Sequence, residues 1–498
     1  MKSYRPYTPM QSYLLPPSPT EWLPEGHLAN FILDVVQRLD LRPIESVLQA
    51  KDPRGERSYA PRMMVGLLLY GYAVGVISSR QIARGTYEDV AFRVLAAGEH
   101  PAYTTVNQFR LDHLAAFRAL FAQVLQLCRS AGLVKLGHVA IDGSKLKANA
   151  SKHKAMSYER ARQTDARLAR EIEIVDEILA RADAVDAEED ALYGIGQTAE
   201  DLPAELRRRE DRRARIDELM TAMEAEAAKT RAAELREQAE ALRAKAEDPE
   251  VPQSERRAAT TMASQRDEQA DELDDDDEPP PPATGLDLPR HQMSTTRAGR
   301  PAPKAQRNFT DPDSRIMVRD GAFVQAYNVQ LAVDEEHQII VAEAVTNQAP
   351  DAEHLIPMLH RVVVNCGAAP TWVTGDAGYF SDANVRAVEH YGSDPYIPGE
   401  RRRRSKDPNA PAPTSTPMRE YMRLKLATAE GKAIYARRKC TVEPVFGQLF
   451  SARKVRQFSL RGIVKAAAEW TLTCLTHNLR KLHRALRGGA PTRGALAA

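Results

Sequence analysis

Apolar residues recur three and four positions apart in HLANFILDVVQRL, PRMMVGLLLYGYAVG and LAAFRALFAQVLQLCRSAGL. That is the period of a helix with one buried face, so residues 20–134 predict an all-helical region. Pro61 suits a first helical turn and Gly132 a point where a helix stops. From 135 to 147 the pattern changes: Val139, Ala140 and Ile141 form a short apolar run straight into Asp142-Gly143, as a strand does. Strand signals return at 324–334 and 338–347, joined by the turn Asp334-Glu335-Glu336-His337. A helix over 353–363, the strand TWVTGD, a short strand PYIP, a helix from about Met418 and another from Glu443 complete the series. The order strand, long interruption, strand, strand, helix, strand predicts an α/β core (α+β overall) with a mixed sheet.

The interruption has its own character. From Tyr158 to about Lys245 the chain is rich in Ala, Glu, Arg and Leu, with Leu168, Ile172, Ile174, Val175 and Ile178 at helical spacing. LYGIGQTAEDLP alone breaks the run, which predicts an antiparallel, coiled-coil-like helical hairpin. The following DELDDDDEPPPPATG has too little apolar surface to bury and predicts a flexible loop. The division expected is a helical region 1–134, a first core strand 135–157, a helical insert 158–305, the rest of the core 306–487, and a disordered tail 488–498.

The net charge of +1 hides an asymmetry: acid collects in Asp271–Glu278, base in Arg401–Arg404, Arg437–Lys439 and the last sixty residues. Local patches, rather than the sum, steer association with a polyanion. Four cysteines without a CxxC pair fit a reducing compartment and support neither zinc nor a disulfide framework. No apolar run of eighteen residues and no signal-like segment occurs, so an internal, membrane-free protein is expected.

Candidate chemistry lies at the strand ends. Asp142 closes one apolar run, Asp376 closes another, and Glu443 opens a helix-like stretch. Strand end, strand end and helix is how a ribonuclease-H-like fold assembles a site for two metal ions, whose hard charge calls for carboxylate oxygens. Lys145 and Lys147, just past Asp142, would lie along a phosphate backbone or form a solvated loop. Arg453 and Lys454 would share the Glu443 helix, with Lys454 eleven residues on and so on the same face. In VISSRQIARGTYEDV, Ser78 or Ser79 caps a short helix carrying Arg80, Gln81 and Arg84 after a turn at Gly75. This fits a helix-turn-helix reading a major groove, or two packed helices of an ordinary helical region.

The stretches DGSKLKANASKHKAMSYER, NFTDPDSRIM, AYNVQLAVD, GDAGYFS, EPVFGQLF and EWTLTCLTHNLRKL occur in one order across 60–485. In this the chain resembles bacterial insertion-sequence transposases of the DDE class, in the subgroup with a helical N-terminal domain and a long insert in the core. The resemblance implies Asp142, Asp376 and Glu443 as catalytic carboxylates holding two Mg²⁺ ions, with Mn²⁺ able to substitute. It implies Tyr435 and Arg438 as a Tyr-x-x-Arg pair gripping DNA backbone, with Lys439 beside them. Where the pattern expects a Lys seven residues after the Glu, this chain has Phe450, and Lys454 is the candidate substitute. Implied partners are the element's terminal inverted repeats, target DNA and a second copy in a homodimeric DNA complex, in the bacterial cytoplasm at the nucleoid. A nuclease of the same fold without strand transfer, and a non-catalytic DNA-binding scaffold, remain alternatives. Because the acidic, proline-rich loop supplies no core, deleting 271–285 should leave the melting temperature unchanged; a large drop by calorimetry would make that segment structural.

Overall fold

The computed structural model describes residues 18–50, 58–174, 202–273, 287–399 and 416–488. The Arg401–Arg404 cluster, most of the acidic loop, LYGIGQTAED and the tail from 489 lie outside the described residues. The helical region contains α1 (Leu28–Arg38), α2 (Arg42–Gln49), α3 (Pro61–Val74), α4 (Ser79–Glu88), α5 (Val90–Leu95), α6 (Tyr103–Asp112) and α7 (Leu114–Ser130). Helix α3 is buried along most of its length, and α4 leaves it at 100°. Gly75 makes that corner, with φ of +86°, and a Cβ there would stand 2.7 Å from the Arg453 carbonyl oxygen. Only glycine satisfies both demands.

The sheet is built from β1 (His138–Lys147), β4 (Arg315–Arg319), β5 (Ala322–Asp334), β6 (Ile339–Thr346), β7 (Trp372–Thr374) and β8 (Asp394–Tyr396), while β2 (Ala155–Ser157) and β3 (Gln306–Asn308) pair apart. Its central order is β6-β5-β1-β7-β8. The first three of these in chain order are antiparallel neighbours, and β1 pairs parallel with β7, which pairs parallel with β8. This is the mixed α/β sheet expected. Strands β2, β3 and β4 went unpredicted: two are three residues long, and β4 carries Arg at both ends.

Interrupting β1 and β5 are a helix over 158–174 (α8), α9 (Leu202–Glu247) and α10 (Gln253–Asp271). Helix α10 runs back along α9, tied by Arg243–Asp267 and Lys245–Glu255. A small apolar cluster of Tyr158, Leu168, Ile216, Met223 and Met293 holds the base of the insert. Glu226 of α9 fastens it to the core by accepting hydrogen bonds from Arg307 (2.8 Å) and Arg315 (3.1 Å).

After the sheet strands come α11 (Leu355–Cys366), α12 (Asp382–His390), α13 (Pro417–Ala427), α14 (Ala429–Gly447) and α15 (Ile463–Arg487). Trp470, Leu472, Leu475 and Leu479 of α15 are fully buried, but so are the residues between them. The helix is thus buried all round, because α3 and α7 cover the side away from the sheet. Asn478 accepts from the Ile340 N–H and donates to its carbonyl, satisfying edge strand β6 as another strand would. Asp311 and Asp313 of the TDPDS turn accept the N–H groups of Gly462 (3.2 Å) and Ile463 (2.9 Å), so they hold the start of α15.

Of two cations expected on the Glu443 helix as DNA contacts, one is sealed in the core and the other leaves the helix. Arg453 is fully buried; its guanidinium donates to the carbonyls of Tyr72 (3.0 Å) and Thr473 (3.0 Å) and to the Thr476 hydroxyl, joining α3 to α15. Lys454 is exposed but off the helix: α14 ends at Gly447 in a π turn, and Lys454 has a left-handed φ of 56°. The helical spacing assumed for it stops seven residues too early. Arg453→Met leaves those acceptors without a donor, and should lower stability by about 2–4 kcal/mol, seen as a shifted urea midpoint. An unchanged midpoint would show that the burial is not integral to the core.

Candidate active site

The register of β1 against β7 sets the first two carboxylates side by side. Ala140 pairs with Thr374, so Asp142 and Asp376 lie two residues beyond the same rung of a parallel ladder. Asp376 then caps the turn that follows, its Oδ1 accepting the Gly378 N–H at 2.8 Å. Glu443 arrives from α14, whose N-cap is Thr428; the carboxylate therefore sits late in a long helix and does not begin one, as the sequence suggested. Tyr435 and Arg438 lie on the same helix.

Arg438 joins the group. Its guanidinium donates to Asp142 Oδ2 at 3.0 Å and to Glu443 Oε1 at 3.1 Å. Burial pushes the Asp142 carboxyl up to about 6, opposed by Arg438 and reinforced by Asp376 and Asp351. Burial would lower the Arg438 guanidinium, but Asp142, Tyr435, Asp376 and Glu443 together raise it. Burial likewise raises the half-buried Tyr435 phenol. Three carboxylates around one guanidinium are hard-oxygen donors of the kind a divalent ion takes. Among the described residues, no group of three His, Cys, Asp or Glu is drawn together closely enough to hold an ion, since Arg438 stands between Asp142 and Glu443.

The pleat divides the expected lysines from the site. Successive residues of β1 face opposite sides of the sheet, so Lys145, three on from Asp142, faces away from it. Lys145 is paired to Asp351 at 3.1 Å, and Asp351 also accepts from Asn328 (2.7 Å) and Gln330 (3.0 Å). The expectation that Lys145 lies along DNA beside Asp142 is corrected accordingly. Tyr379, fully buried, donates to Gln330 Oε1, and a Cβ on Gly143 would strike the Gln330 amide, so only glycine fits the strand there. Lys147 and Lys439 are exposed.

Asp142, Ser144, Glu443 and Phe450 line an open cleft of about 360 Å³, together with Arg319 and Arg456. Arg319 went unrecognised in the sequence, because β4 was not seen. Its guanidinium lies over the Phe450 ring, 5.4 Å from the centroid. The aromatic residue standing where a lysine was expected thus carries a cation delivered from β4. In the helical region, Arg80 lies over the Tyr103 ring and Arg84 pairs with Glu88, both on the exposed side of α4. Ser78 is the N-cap of α4 but makes no side-chain capping bond.

Residues 402–483 match the family described as Transposase DDE domain, and residues 18–112 match the Transposase domain (DUF772) family. The first match includes Arg438 and Glu443, and the second includes α3 and α4. Neither a curated protein nor a solved structure matches the chain. No single helix among the described residues is long and apolar enough to cross a membrane.

With its carboxyl held above the ordinary value, the folded chain binds more protons at Asp142 than the unfolded chain between about pH 4 and 6. That contribution to stability is complete below this window and lost as pH rises through about 6. Asp142→Asn removes the buried charge, so it should melt higher than wild type at pH 7.5 and show a flatter stability–pH curve between pH 4 and 7. A variant melting lower at pH 7.5 would mean the Arg438 bridge outweighs burial.

Proposed function

We propose that this chain, which belongs to the insertion-sequence transposases of the DDE class, cleaves DNA at the ends of its element and joins the freed 3′-hydroxyl to target DNA. Asp142, Asp376 and Glu443 are the residues that would hold two Mg²⁺ ions, with Mn²⁺ as a substitute. The reading rests on one observation: Asp142 and Asp376 leave adjacent parallel strands at one level, and Arg438 links Asp142 to Glu443. When bound, such ions activate the attacking water or hydroxyl and neutralise charge on the leaving 3′ oxygen. In-line phosphoryl transfer leaves the protein mainly with positioning and charge placement.

The cations of the cleft are suited to that task. Arg438 offers a planar guanidinium whose Nε is buried without a partner among the described residues. An incoming phosphate would supply oxygens to this guanidinium in place of the carboxylates, which would then be free to hold the ions. Tyr435, one helical turn earlier, would brace the same phosphate. Arg319, stacked on Phe450, takes the place proposed for Lys454 as the cation beyond Glu443. Lys147, Lys439, Lys454 and Arg456, all exposed, would extend the backbone contact. Arg80 and Arg84 on α4 would read the element's inverted repeats, the right-angle corner with α3 presenting that helix outward. Two copies in the DNA complex would bring both ends to one target.

The test incubates a labelled element end with a target plasmid in Mg²⁺. Cleaved ends and joined products should both form, and chelation should remove both. Asp142→Asn should lose cleavage while still binding DNA; cleavage without any joining would instead identify a nuclease. Arg438→Ala should weaken binding across unrelated sequences and reduce the slope of log affinity against log salt by about 0.9. If affinity and slope both stay at wild-type values, Arg438 does not touch backbone.

A further inference from the structure

The segment carrying Glu443 is a wall between two clefts. On one flank Glu443, Gly447, Phe450 and Ser451 line the cleft shared with Asp142. On the other, Gln448 and Ala452 line a larger cleft of about 820 Å³, closed by His27, Leu28 and Val74 of the helical region and by the second half of α15. Besides the buried Arg453, its cations come from that one helix. Arg480, Arg484 and Arg487 follow one another at helical spacing and share a face, with Lys481 beside them. Among the described residues, no carboxylate lines this cleft.

Cations near a helix C-terminus are favoured by its dipole, but the effect fades beyond the last turn. Arg480 and Lys481 lie further back than that. Both are held in place: Arg480 donates to the Ala73 carbonyl (2.6 Å) and Lys481 to Gln338 Oε1 (2.8 Å), neutral acceptors that leave the positive charge uncompensated. In the neighbouring groups the cations add to the effect of burial. Burial lowers the Lys481 ammonium to about 8, with Arg484 and Arg480 lowering it further, and the His483 imidazole is also lowered by burial, with Arg487 contributing. A polyanion would relieve this repulsion.

We propose that this cleft is a second DNA site, which holds the phosphate backbone of the target duplex while the element end occupies the cleft at Asp142. The proposal rests on the transposase reading above. Cations directed at phosphates position a duplex without carrying sequence information, which suits a target of no fixed sequence. Joining requires two duplexes at one set of carboxylates, and the clefts share a single helical wall, about 10 Å across. Backbone held on the far side is therefore close to the reacting 3′-hydroxyl.

The test uses full-length protein and a fluorescent random-sequence duplex lacking the element's ends, titrated by anisotropy at several salt concentrations. For Arg484→Ala with Arg487→Ala, affinity should fall about tenfold and the log–log salt slope by up to about 1.8, as for two lost phosphate contacts. Cleavage at the element end should stay within about twofold of wild type, while joining falls with target affinity. Lys481→Gln, a single near-isosteric loss of charge, repeats the measurement should the double variant not fold. Unchanged affinity and slope for the random duplex would overturn the proposal. Equal loss of element-end binding and cleavage would overturn its assignment to the target. If wild type neither binds duplex nor cleaves an element end, the transposase reading itself fails, whatever the variants do.

Discussion

Parallel pairing between β1 and β7 is the constraint on which the candidate site depends. Three rungs, from His138–Trp372 to Ala140–Thr374, decide that Asp142 and Asp376 emerge level with one another. A slip of one residue would turn one of the two carboxylates to the opposite face. The rest of the chain enforces this pairing. Antiparallel β5 runs along nine residues of β1, from Val139 to Lys147, and fixes its register. Asp334 at the end of β5 accepts the N–H groups of Lys135 and Leu136, anchoring the entry to β1. His138 ties the two parallel strands directly, its Nε2 lying 2.9 Å from the Thr374 hydroxyl.

Helix α15 extends that order to the helical region. Buried on all sides, it meets β6 on one face and α3 and α7 on the others, so the sheet and the N-terminal helices share one core. The buried Arg453 and Arg110 are its polar counterparts. Arg453 links Tyr72 of α3 to Thr473 and Thr476 of α15, while Arg110 donates to the Tyr72 hydroxyl and the Ser459 side chain. Such buried cations are costly unless their donors are satisfied, so they specify one docking of the two parts. The loop between α14 and α15 is thereby held, and with it the position of Glu443 relative to the sheet.

Electrostatics at the two clefts are arranged differently. At Asp142 a buried cation and several carboxylates meet, and each holds the other in place. At the second half of α15 cations meet with only neutral acceptors. The first arrangement is nearly self-neutralised and must be rearranged by a ligand; the second is unbalanced and favours any polyanion that reaches it.

Local pattern alone determined a good deal: the helical region, the strand entering Asp142, the β5–β6 hairpin, the charged insert and the two aspartates at strand ends are all legible from period and turn chemistry, whereas Glu443 proved to lie inside its helix. Those are properties of neighbours along the chain, which is why they survive without a structure. What only tertiary structure decided depends on pairing and burial. Lys145 reads as one of a lysine cluster, yet the pleat turns it to Asp351. Arg453 reads as a surface cation, yet the docking of α3 on α15 seals it in. Lys454 counts as helical until a π turn ends the helix. Arg319, in a strand too short and too charged to recognise, meets Phe450 from a distant part of the chain, a contact that no spacing rule encodes. Side-chain type and local period are written residue by residue; which side of a sheet or which end of a salt bridge a residue meets is set only when distant segments pack.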